Sequence, residues 1–158
     1  MEDDLRGKSP KDYGEGYEFH LLDQYKLYVE MADRISQRRL SANSFFISVN
    51  VALISLLTLF SSNVYGLIIF SISGILFSIM WYVSIKSYRQ MSSGKFKVIH
   101  QLEKELPARL FDYEWNVLDH GKNKKKYIPI SKIESIISLL FSCIYVFICL
   151  YILFFHTF

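Results

Sequence analysis

Four histidines, two cysteines and fifteen carboxylates are the residues of this 158-residue chain that could do acid–base, nucleophilic or metal chemistry. Their spacing argues against it. His20, His100, His120 and His156 are dispersed, and no paired-histidine motif or Gly-rich phosphate loop occurs. His100 and Glu103 stand three apart, close enough to meet on one helix face, but such a pair on a polar helix is ordinarily solvated. Cys143 and Cys149 are six apart and share no helix face, so they read as buried small residues without redox or metal roles. Asp112, Glu114 and Asp119 face a run of lysines and read as a surface ion-pair set. No convergent acid, base and nucleophile set is visible. The sequence therefore predicts no enzyme, no cofactor and no metal. Nucleic-acid binding would need basic and aromatic residues clustered on one face. Here the basic residues collect at the edges of apolar runs, and no nucleic-acid partner is expected.

A different chemistry is written in small and hydroxyl residues. Ser41, Ser48, Ser55 and Ser62 recur every seventh position, with Ser44, Val51 and Thr58 three residues after the first three. Ser71, Gly74 and Ser78 form a second small stripe. In a membrane such stripes let helices approach closely and bond across the contact. Packing is the preferred role, and the alternative is that one stripe lines a water-filled path through an oligomer. Asn50 lies off the first stripe. A carboxamide in lipid must find a partner, and helix-to-helix bonding is the expected role.

The elements that position these residues are set by charge. From Ala42 to Ile85 there is no charged side chain, although the chain as a whole is 21% charged. A spanning helix needs about 20 mostly apolar residues, so this run holds two. The break falls at Ser61-Ser62-Asn63, with Gly66 close behind. A hairpin with spans near 44–60 and 66–84 is predicted, and a third span near 136–155. The fold class is all-α integral membrane, with three transmembrane helices and a cytoplasmic helical layer. Arg34, Arg38 and Arg39 precede the first span, Lys86, Arg89, Lys95 and Lys97 follow the second, and Lys122, Lys124, Lys125, Lys126 and Lys132 precede the third. This bias predicts that the N-terminus and residues 86–133 are cytoplasmic and the C-terminus is external.

In order, residues 1–16 read as a mobile acidic tail and 17–43 as a cytoplasmic helix continuous with the first span. Residues 44–85 form the hairpin, 86–133 a cytoplasmic helical segment, and 134–158 the third span and outer C-terminus. Leu22, Tyr25, Val29 and Ala32 make a heptad-like stripe whose partner is a helix of the same subunit or of a neighbour. Ser92-Ser93-Gly94 reads as a helix interruption. Lys95 to Leu106 and Leu110 to Leu118 read as short amphipathic helices divided at Pro107, with Gly121 a candidate C-cap. Lys124, Lys125 and Lys126 form a basic loop at the lipid surface. Ser131 and Glu134 have capping-box spacing. Trp81, Tyr82 and Tyr88 read as interfacial anchors.

Three stretches carry a resemblance: Leu21–Phe46, Tyr88–Pro107, and YIPISKIE at Tyr127–Glu134. Together they resemble the RipA-like family of small bacterial membrane proteins, described as octameric. The resemblance implies a homo-oligomer of about eight subunits in the bacterial inner membrane, with the lipid bilayer and itself as partners. It supplies no catalytic residues. The layout also looks like two-span pore-forming effectors of bacterial defence systems, although the third span departs from that plan. The expected function is a non-enzymatic scaffold or envelope-stress complex. The alternative is a gated pore or membrane-disrupting effector.

Overall fold

The computed structural model describes Leu5 and residues 7–155. Residues 1–4 and 6 of the acidic tail, and residues 156–158 at the C-terminus, lie outside the described residues. The described chain holds helices α1 (Pro10–Tyr13), α2 (Tyr17–Leu59), α3 (Val64–Leu102), α4 (Leu110–Val117) and α5 (Ile130–Phe155), and no strand. α2, α3 and α5 are each long and apolar enough to cross a membrane.

The chain divides into two compact units. The first comprises the described part of residues 1–37 together with 90–128. The second comprises residues 38–89 and the described part of 129–158. α2 and α3 each contribute to both.

In the second unit, the hairpin turn forms where the sequence loses its apolar run. Asn63 closes it: its Oδ1 accepts from the backbone N–H groups of Tyr65 (3.1 Å) and Gly66 (3.3 Å), capping the start of α3. α2 and α3 bury residues at alternating three- and four-residue steps. On α2 these are Asn43, Phe46, Asn50, Leu53 and Leu57. On α3 they are Ser71, Gly74, Ser78, Trp81 and Ile85. On α5, Ser131, Ser138, Tyr145 and Ile152 are buried at an unbroken spacing of seven. Such a repeat keeps one face turned to its neighbours, as in coiled-coil packing.

Trp81 belongs to this core and is not an interfacial anchor. It is 1% exposed, stacks on Phe46 (6.1 Å, 10°), and donates its indole N–H to Asn43 Oδ1 at 2.8 Å. That bond satisfies its one polar atom, so burial carries no unpaired donor. The cysteines also differ from expectation: Cys143 is exposed and Cys149 half-buried, both off the heptad face of α5.

In the first unit, α3 continues unbroken through Ser92-Ser93-Gly94, contrary to the interruption predicted. A lone glycine costs only about 1 kcal/mol against alanine in a helix, and neighbouring good helix formers carry the turn across it. The helix ends at Leu102, passes through a 3-10 turn at Glu103–Glu105, and stops at Leu106, which is extended as the residue before a proline must be. After α4, Asp119, His120 and Gly121 all take positive φ (54°, 50° and 70°), so the chain reverses in a left-handed turn. Glycine suits this turn twice over, because a Cβ at Gly121 would stand 3.2 Å from the Trp115 ring.

Candidate functional site

The second unit places a polar seam where lipid-soluble helices would be expected to be uniformly apolar. Asn50 is its centre and is 0% exposed. Its Nδ2 donates to Phe46 O on its own helix (2.8 Å), and its Oδ1 accepts from Ser78 Oγ on α3 (3.1 Å). Its backbone carbonyl accepts from Tyr145 OH on α5 at 3.0 Å. Ser138 Oγ on α5 donates to Ser78 O at 3.2 Å. One residue thus ties three helices, and the small side chain of Ser78 lets both neighbours come near. Ser71 Oγ is buried on the same face and has no hydrogen-bond partner among the described residues. Gly74 lies between Ser71 and Ser78, where the Tyr145 ring covers its backbone.

The seam separates the small-residue candidates into two groups. Asn50, Ser71, Gly74 and Ser78 lie inside this unit. Ser41, Ser48 and Ser55 are exposed, and Ser44 and Thr58 are exposed beside them. Ser44 Oγ donates to Leu40 O (3.1 Å), Ser55 Oγ to Val51 O (3.0 Å) and Thr58 Oγ1 to Ser55 O (2.7 Å), so these hydroxyls bond back to their own helix. Asn43 and Asn50 repeat with the same period as Ser41 and Ser48, displaced by two residues. Two residues turn a helix by about 200°, which puts the hydroxyl repeat nearly opposite the buried one.

At one end of this unit Arg39 Nε stands 3.8 Å from Glu134 Oε1, with side chains 23% and 12% exposed. Glu134 is therefore a charge partner rather than the capping residue predicted. Ser131 is already inside α5, where its carbonyl accepts from Ser135 Oγ (2.8 Å), so the capping box does not form.

The first unit has its own buried polar centre, which sequence reasoning missed. Glu103 is 0% exposed. Its Oε1 accepts from Tyr25 OH (3.0 Å) and Phe111 N (2.9 Å), and its Oε2 from Asp112 N (3.0 Å). The residue before α4, Arg109, makes no side-chain cap bond. Glu103 supplies the cap from outside the helix, a carboxylate at the positive end of α4. His100 Nδ1 lies 3.7 Å from Glu103 Oε2 and 3.8 Å from Asp112 Oδ1. Burial, then the hydrogen bond to Glu103 and its negative charge, push the Tyr25 phenol up to about 12. The signal in the sequence is slight: a glutamate seven residues before an apolar helix start, with Pro107 between them.

The predicted stripe Leu22, Tyr25, Val29 and Ala32 is turned inward except at its end. Ala32 is buried, Tyr25 and Val29 are half-buried, and Leu22 is 38% exposed. Lys95 sits 4.2 Å over the Tyr28 ring, a cation–π contact on the same side. Among the described residues, no group of three or more His, Cys, Asp or Glu side chains is placed to hold a metal.

Three long apolar helices joined by a buried polar seam define an all-α membrane protein. The chain belongs to the octameric membrane protein family, whose sequence pattern matches residues 22–154. The match covers α3, nearly all of α2 and α5, and the residues of both polar centres. Neither a curated protein nor a solved structure matches the chain.

Proposed function

We propose that the chain is the protomer of a non-enzymatic homo-octamer that serves as a scaffold or stress-related complex in the bacterial inner membrane. The finer RipA-like resemblance, a cytoplasmic N-terminus and 86–133 segment, an external C-terminus and the lack of a nucleic-acid partner belong to the same proposal. One observation carries it. The face of α2 bearing Ser41, Ser48 and Ser55 is exposed on the protomer, although its period matches that of the buried face. In an octamer this is the face best suited to close helix contact with the next copy.

A second reading uses the same face. If it turns to a lumen, its hydroxyls line a gated pore. The stripe Ser71, Gly74 and Ser78 suits this less well, since all three are buried, Ser78 is bonded to Asn50 and Ser138, and Tyr145 covers Gly74. Replacing Ser48 and Ser55 together by Leu separates the readings. Loss of the octamer, measured as native mass in mild detergent, supports a subunit seam. An intact octamer whose reconstituted ion flux disappears supports the pore. An intact octamer with no change in flux removes both assignments of this face.

A further inference from the structure

The segment from Leu110 to Ile128 has one face committed and one face free. On the committed face, Phe111 packs edge-on against Phe96 (5.6 Å, 68°) while Glu103 holds the first amides of α4. On the other face Leu110, Tyr113 and Val117 are 66%, 73% and 52% exposed. Their three- and four-residue spacing makes them one apolar stripe.

The turn that follows is fastened to this helix. Trp115 meets Tyr127 edge-on at 5.8 Å, and Lys126 Nζ donates to Val117 O at 3.3 Å. Asn123 shapes the turn: its Oδ1 accepts from Lys125 N (3.0 Å), and its carbonyl from Lys126 N and Tyr127 N. Lys122, Lys124, Lys125 and Lys126 are exposed beside Ile128, itself 55% exposed. Among the described residues, none of these four lysines has an ion-pair partner. Glu114 borders the apolar stripe, and Asp112 is turned to His100.

We infer that Leu110, Tyr113 and Val117 together with Lys122 and Lys124–Lys126 form a docking surface for anionic phospholipid headgroups. The stripe inserts at the headgroup boundary and the lysines neutralise phosphate charge, as amphipathic surface helices do. Chain connectivity favours lipid over a second copy. Four peptide steps join Lys126 to Ile130, which limits their separation to about 14 Å. α5 has 26 residues and so spans about 39 Å, longer than a hydrocarbon core of about 30 Å. Its first residues, with Lys132 and Glu134, therefore reach the headgroups, and the basic turn is tethered within their range. The inference holds for either reading of the assembly.

The test is hydrogen exchange of the α4 amides in the full-length protein, reconstituted in nanodiscs of phosphatidylcholine alone or mixed with phosphatidylglycerol. The expected result is slower exchange at Tyr113–Leu118 in the anionic discs. The protection should fall about fivefold per charge removed in K124Q/K125Q/K126Q, and it should weaken in high salt. Equal slow exchange in both lipids and in detergent would overturn the inference in favour of cover by a neighbouring copy. Equal fast exchange in both lipids would overturn it by showing an uncovered face.

Discussion

The ring of Tyr145 on α5 rests against the backbone of Gly74 on α3: a Cβ at Gly74 would stand 2.4–2.5 Å from three of its ring atoms. The ring cannot swing aside freely, because its hydroxyl is bonded to Asn50 O at 3.0 Å. Gly74→Ala gains about 1 kcal/mol of helix propensity. It also forces the ring off its site, and overpacking of this kind costs about 1–3 kcal/mol. A lowered thermal midpoint in detergent is expected, recovered in part by adding Tyr145→Leu. An unchanged or higher midpoint for Gly74→Ala alone would show that α5 does not lie this close.

The Asn50–Ser78 bond should be measurable as a coupling. Hydrogen bonds between membrane helices average about 0.6 kcal/mol and reach about 1.7 kcal/mol. Ser78→Ala removes one donor, while Asn50→Ala also releases Phe46 O and leaves the Ser78 hydroxyl unpaired. Asn50→Ala is therefore expected to be the more destabilising single change. The double-mutant cycle, read from reversible unfolding in mixed micelles, should return a favourable interaction within that range. Strictly additive losses would refute the contact.

Glu103 is predicted to matter more for α4 than any residue within α4. Removing a helix cap costs about 0.5–2 kcal/mol, and here the same side chain also holds Tyr25. Glu103→Ala should release the first amides of α4, so Phe111 and Asp112 should exchange hydrogen much faster while the amides of α5 keep their rates. Glu103→Gln keeps an acceptor and should lie between the two. If the α4 amides exchange alike in all three proteins, another group caps the helix.

The spans were legible because they depend on one variable along the chain, the absence of charge from Ala42 to Ile85 and the polar break at Ser61–Asn63. The inner face was not. α2 carries two seven-residue repeats, Ser41/Ser48/Ser55 and Asn43/Asn50/Leu57, on nearly opposite sides. Periodicity alone gives no preference between them. The choice is made by Ser78, Trp81 and Tyr145, which come from distant sequence and offer partners only to the asparagine side. Glu134 misleads for a similar reason: its spacing from Ser131 satisfies a local rule, while its partner Arg39 lies 95 residues away in the chain. Ser92-Ser93-Gly94 misleads in the opposite direction, because the long helix that carries these residues overrides their local turn preference.

Tyr25 predicts an alkaline limit for the first unit. Its phenol is raised from the ordinary 10.0 to about 12, first by burial and then by the Glu103 carboxylate. The folded form therefore holds the proton more tightly than the unfolded chain. The stabilisation is complete below pH 10 and declines between about pH 10 and 12, as the unfolded chain ionises ahead of the folded one. Ionised Tyr25 would also set a phenolate against Glu103, with no proton left to share. Stability followed from pH 9 to 12 should thus fall more steeply in the parent protein than in Tyr25→Phe, which has no proton to lose. Glu103→Gln should flatten the slope part-way, because it removes the charge but leaves the burial. Parallel curves for the parent and Tyr25→Phe would place the alkaline transition elsewhere in the molecule.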